Sequence, residues 1–177
     1  MAEEKTQAAA EEKTQAAAVE GQPSPEGIQF AVQKLYAKDV SFEVPNAPKI
    51  FTEQGQTDVK LNLGQRVDEM GDDLFEITLT ITVTATVGEK TAYLAEVVQA
   101  GIFQISGFNE QSHHAAINTL CPTTLFPYAR AMITTLVTDG GFPPLVLQPI
   151  NFDALYAQRM QQAQAEATAK ATPEGEA

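Results

Sequence analysis

The side chains with the strongest chemical potential in this sequence are few: His113 and His114, the single thiol Cys121, the tetrapeptide Gly88-Glu89-Lys90-Thr91 and the pair Asp72-Asp73. Each suggests a different chemistry. Zinc needs three or four imidazole, thiolate or carboxylate ligands at fixed spacing, and two neighbouring histidines on a helix point apart, so no metal set assembles here. A phosphate-binding loop needs Gly directly before Lys and a helix behind it. Here Glu89 intervenes and the flanking pattern is strand. Adjacent acids ahead of a strand read as solvated turn residues rather than an acid and base pair. Cys121 precedes Pro122 with no basic neighbour to activate it, and reads as a small buried apolar residue. These residues predict no enzyme, no cofactor and no metal site.

What remains is surface chemistry. Asp39 and Glu43 are four apart, which places them on one side of a strand if no bulge intervenes, and Leu94 and Glu96 share a side of another. A flat, hydroxyl-rich, acidic sheet surface would dock a short basic segment; solvated charge without a partner is the competing reading.

The elements that must carry these residues follow from periodicity. Ile28, Phe30 and Val32 alternate and, after a slip at Leu35-Tyr36, Val40, Phe42 and Val44 alternate again, which predicts one strand with a bulge near Lys34 to Ala37. Pro45-Asn46-Ala47-Pro48 ends it, and Val59, Leu61 and Leu63 resume the pattern after a polar crossover. Ile77 to Val87 sets Ile, Leu, Val and Ala at odd positions against five Thr at even ones, the mark of a long antiparallel strand with one wet face. Gly88-Glu89-Lys90 turns the chain, and Thr91 to Ile105 returns, with a weak point or bend at Gly101.

After Gly107 the period becomes helical. His113 to Leu120 forms one helix, Pro122 opens a new one bearing Leu125, Phe126, Ala129, Ile133 and Val137, and Gly140-Gly141 stops it. An extended Pro-rich connection leads to a last helix with Phe152, Leu155, Tyr156 and Met160, capped by Asn151 or Asp153. The predicted class is α+β: a four-stranded antiparallel sheet with two main helices packed on one face. One such layer is thin, so self-association is expected.

Residues 28–160 form the predicted folded unit. Residues 1–27 read as a disordered acidic arm with an octapeptide repeated at 3–10 and 11–18, and residues 161–177 as a disordered tail. The chain has 177 residues and a net charge of −12; within 28–160 there are fourteen acids against eight bases, so a nucleic-acid backbone is repelled. A lone Cys forms no intramolecular disulfide and suits the cytosol. Met1-Ala2-Glu3-Glu4-Lys5 is not followed by an apolar stretch, and no run of about 18 apolar residues occurs, so neither export nor membrane insertion is expected.

Five segments, in order, carry a family resemblance: Tyr36 to Pro48 (YAKDVSFEVPNAP), Gly101-Ile102-Phe103, Cys121-Pro122 with Leu125 to Arg130 (LFPYAR), Gly141-Phe142-Pro143, and Pro149 to Tyr156 (PINFDALY). Together they span residues 28–160, and the chain resembles the SecB export chaperones. The resemblance implies a homotetramer, built as a dimer of dimers with helices between two sheet layers. It implies ATP-independent holding of unfolded precursor polypeptides and their delivery to the SecA ATPase. SecA's basic, zinc-bearing C-terminal tail would contact Asp39, Glu43, Leu94 and Glu96, so any zinc would be the partner's. Substrate grooves would be walled by Val44, Ile50, Phe51, Leu145, Leu147, Phe152, Leu155 and Tyr156, with core packing the alternative for each. Gly55 stands where several relatives carry a crossover Trp, and the duplicated arm lies outside the family pattern. Two other readings remain open, an oligomeric adaptor binding a folded partner through its acidic sheet, and a SecB-like chaperone dedicated to one client.

Overall fold

A computed structural model describes residues 27–171; the duplicated octapeptide and the C-terminal residues from 172 lie outside the described residues. Four long strands, β1 (Gln29–Glu43), β2 (Thr57–Gly71), β3 (Leu74–Val87) and β4 (Lys90–Ser106), form one antiparallel sheet in the order β1-β4-β3-β2. Two helices follow, α1 (Glu110–Asp139) and α2 (Phe152–Ala171), and a short 3-10 turn at Lys49–Thr52 lies in the crossover between β1 and β2.

The alternation in β3 sorts its side chains as the sequence predicts. Ile77, Leu79, Ile81, Val83 and Ala85 are buried under α1, and Thr80, Thr82, Thr84 and Thr86 lie on the outer face. The turn between β3 and β4 is a two-residue loop, Gly88-Glu89, closed by the Val87 to Lys90 pair. Asp72 and Asp73 both take left-handed backbone angles (φ 53° and 59°) at the turn between β2 and β3, which short polar side chains tolerate. That places the acid pair in an exposed turn, as its solvated reading requires.

β1 carries two bulges where one was expected, between Val32 and Lys34 and between Ala37 and Asp39; they bracket the out-of-phase stretch around Leu35, and the second restores the even-numbered phase of Val40 and Phe42. Gly101 is no weak point: a Cβ there would stand 2.6 Å from the Phe103 ring and 3.0 Å from Leu35, so the absent side chain lets those two pack across the strand.

The helical region departs from expectation at Pro122. A single 30-residue helix runs from Asn109, whose side chain accepts the Ser112 N–H at 2.8 Å, to Gly140, whose N–H donates to Leu136 O, and both Pro122 and Pro127 lie inside it. An interior proline costs a helix about 3 kcal/mol. Burial opposes that cost here: Pro122 is fully buried beside Cys121 and Leu125, in a stripe that continues through Ala129, Ile133 and Val137. Tertiary contact with β4 and β3 therefore carries the helix across a residue that local rules would make a boundary.

Asn151 caps α2, its side chain accepting the Ala154 N–H at 2.9 Å; Asp153 falls in the first turn. The helix continues to Ala171, past the boundary placed at 160, since the Gln- and Ala-rich sequence from Gln161 carries strong helix formers and meets no proline before Pro173.

Candidate functional site: an acidic sheet face and an apolar groove

The second bulge in β1 decides which way the acids point. Ala37 pairs with inward-facing Gln99, and without Lys38 as an extra residue Asp39 would share that inward phase. With it, Asp39 pairs with Val98, Ser41 with Glu96 and Glu43 with Leu94, all on the outer face. β3 extends these rows with Thr80, Thr82 and Thr84. Asp39, Glu43, Leu94 and Glu96 thus form one patch across two adjacent strands. Asp39 and Glu43 are exposed, and Leu94 and Glu96 are half-buried.

Beside this patch, Glu76 on β3 accepts from the Tyr36 hydroxyl and from Lys38 Nζ, the latter at 2.6 Å. The hydrogen bond to Glu76, followed by burial and the carboxylate's charge, pushes Tyr36 up to about 12. The Lys38 hydrogen bond, and next the Tyr36 hydroxyl, hold the Glu76 carboxyl below its ordinary range. Glu96 accepts from Thr82 Oγ1 at 2.8 Å.

On the inner side, α1 lies mainly over β4 and β3; it meets β1 less, reaches β2 at Gln65, whose side chain donates to Ile117 O at 2.9 Å, and leaves part of each edge strand open. Val59, Leu61 and Val67 of β2 pair with buried Ala85, Val83 and Ile77 and so face the helix side, yet they are 38–41% exposed. The connection after α1 stands opposite. Phe142, Pro143, Pro144 and Leu145 close, with Val59 and Tyr93, a cleft of about 170 Å³. An aromatic ladder backs it, Phe42 to Tyr93 at 5.8 Å, Tyr93 to Phe142 at 4.8 Å and Phe142 to Phe51 at 5.1 Å between ring centroids. A smaller pocket of about 20 Å³, also against β2, is lined by Leu63, Gln65, Leu155, Tyr156 and others.

The eight groove candidates divide by burial. Ile50, Leu147 and Phe152 are buried, Phe152 at the edge of the small pocket against β2; Val44, Leu145, Leu155 and Tyr156 are half-buried, and Phe51 is half exposed. Sequence reasoning missed Val59, Leu61, Val67, Tyr93 and Phe142. Their signal was present: a two-helix layer is too narrow to cover four strands, so an apolar alternation on an edge strand stays open.

The residues of highest chemical potential each have structural surroundings. His113 packs edge-on against Phe75, His114 Nδ1 lies 2.9 Å from the Tyr156 hydroxyl, and Lys90 pairs with Glu53 at 2.5 Å. Cys121 is fully buried, and burial pushes its thiol up to about 12. Among the described residues no group of three or more His, Cys, Asp or Glu is placed to hold a metal, and no helix is long and apolar enough to cross a membrane.

The architecture is that of the SecB-like chaperones: a SecB-like chaperone of Mycobacterium tuberculosis, solved in complex with an antitoxin peptide, superposes with a TM-score of 0.58 at 18% identity, over 68% of this chain and 90% of that one. The sequence profile described as "Preprotein translocase subunit SecB" matches residues 23–163. "Protein-export protein SecB" of Methylococcus capsulatus is 54% identical over 145 residues, covering 82% of this chain and 93% of the relative. The protein of the same name from Stenotrophomonas maltophilia is 50% identical over 155 residues, covering 85% and 90%. The chain belongs to the SecB family, and it is a protein-export chaperone.

Proposed function

We propose that this chaperone holds unfolded precursor polypeptides in the groove between β2 and the segment after α1, without nucleotide, and passes them in the cytoplasm to SecA docked on the outer acidic face. The exposed apolar row Val59, Leu61 and Val67, with Phe142 and Pro143 beside Val59 at one end, carries the reading: an open apolar surface on the inner side of a well-packed sheet gains nothing until another chain covers it. Each client side chain buried there contributes roughly 1.5–3 kcal/mol before ordering costs. Several weak contacts on one particle give affinity with little sequence preference, and folded proteins, which expose no such segments, are passed over.

Assembly as a homotetramer, a dimer of dimers, belongs to the same proposal. Leu120 and Tyr128 stand 46% and 51% exposed on the outer side of α1, and Val32 and Val40 are similarly uncovered on the inner side of β1. A second copy would bury both. Asp39, Glu43, Leu94 and Glu96 would receive the basic, zinc-bearing tail of SecA, with zinc supplied by that partner.

Native mass measurement with and without a denatured precursor, at no added ATP, tests the reading. A tetramer that captures the precursor is expected, and a monomer that ignores it would contradict the proposal. Capture of several unrelated unfolded proteins separates this function from a chaperone dedicated to one client; binding only a folded partner would favour an adaptor.

A further inference from the structure

Glu96 sits in the middle row of the outer acidic patch, directly between Ser41 on β1 and Thr82 on β3. Thr82 Oγ1 donates to Glu96 Oε2 at 2.8 Å, and both residues are half-buried. Among the described residues, Asp39 and Glu43 make no such side-chain hydrogen bond, so one acid of the three is tied to the sheet and two are not.

Two properties make Thr82 a rigid donor. A β-branched side chain on a strand has little freedom at χ1, so the hydroxyl position follows from the backbone. Its inner neighbours Ile81 and Val83 are fully buried, which fixes that backbone. Thr82 gives its only proton to Oε2, and a carboxylate with one oxygen engaged keeps lone pairs on the other for an incoming donor. A glutamate already ordered loses less conformational freedom when a cation arrives.

We propose that Thr82 is a positioning residue for partner recognition: it holds Glu96 in place so that Oε1 accepts from a lysine or arginine of a cationic segment lying on Asp39, Glu43 and Leu94. This rests on the outer face being the docking surface. Thr82 touches no partner atom in this scheme and acts only through Glu96. It therefore contributes to affinity only while Glu96 carries its charge.

The test uses the full chain and a zinc-loaded peptide of the SecA C-terminal tail, with binding measured by calorimetry at two salt concentrations. Thr82→Val, which keeps the shape and removes the donor, is expected to weaken the peptide by about three- to tenfold, and Thr82→Ser to restore most of it. In a Glu96→Ala background, which removes the acceptor, Thr82→Val is expected to have no further effect, and precursor capture should be unchanged throughout. Thr82→Ala serves the same comparison if the valine variant folds poorly. Equal peptide affinity with and without the hydroxyl, or the same loss in the Glu96→Ala background, would overturn the role of Thr82 while leaving the docking surface intact. If Glu96→Gln and charge reversal at Asp39 and Glu43 also leave the peptide unaffected, the docking surface itself is wrong.

Discussion

Lys38 and Glu76 meet across an intervening strand: the ammonium on β1 lies 2.6 Å from Glu76 Oε2 on β3, with β4 between them. Adjacent strands are about 4.8 Å apart, so the lysine stem spans two spacings over the outer face. Ala100 and Thr78, which face outward in the neighbouring row, are buried. Lys38 is the extra residue of the bulge that turns Asp39 outward, so the contact anchors the bulge and also neutralises a cation next to the acidic patch.

Replacing Glu76 by Gln should change stability in a defined pH window. Tyr36 has a folded pKa of about 12, above its ordinary 10.0, so its contribution is complete below about pH 10 and lost as pH rises through 12. Glu76 is held below its ordinary 4.5, so its contribution is present above that value and lost as pH falls through the folded pKa. The stability difference between wild type and Glu76→Gln is expected to be flat around neutrality and to shrink at both extremes, as read by denaturant unfolding across pH. A difference that grows in acid would contradict the network.

Leu61→Asp places a charge on the open side of β2, where the native side chain is 39% exposed. Folding and assembly should be little affected, while capture of a denatured precursor weakens by about tenfold or more, because an unpaired carboxylate would be desolvated by the client. Titration of a labelled unfolded precursor measures this, and unchanged affinity would move the groove elsewhere.

Tyr128→Asp tests the outer side of α1, where Tyr128 is 51% exposed in the single chain. A smaller particle is expected in native mass measurement. A tetramer that persists unchanged means that this face is not the interface.

Cys121 should report on the opening of α1. Burial and a thiol pushed up to about 12 keep it protonated at neutral pH, so labelling in native buffer should run about three orders of magnitude slower than in denaturant. Fast native labelling would reveal local unfolding around Pro122.

Much of the fold was legible because period-2 alternation is a local signal. The Ile77 to Val87 run specified its buried face, and the slip at Leu35 within an otherwise even-numbered alternation pointed to an irregularity in β1, where the structure has two bulges instead of the one expected. The helix boundary at Pro122 was misread because local rules weigh the lost hydrogen bond and not the sheet on which the proline rests. Asn151 and Asp153 were equivalent as caps by residue type, and only the hydrogen bond to Ala154 separated them.

The sequence alone determined the class of fold and, through its five ordered segments, the family. Tertiary structure decided which candidate wall residues are surface. Ile50, Leu147 and Phe152 are as apolar as Leu61, and only the packing of the folded chain buries the former and leaves the latter exposed. It likewise decided that Thr82 meets Glu96, since side chains far apart in the chain meet only once strand register is fixed. Composition and period are properties of neighbours along the chain, whereas coverage and register are properties of neighbours in space.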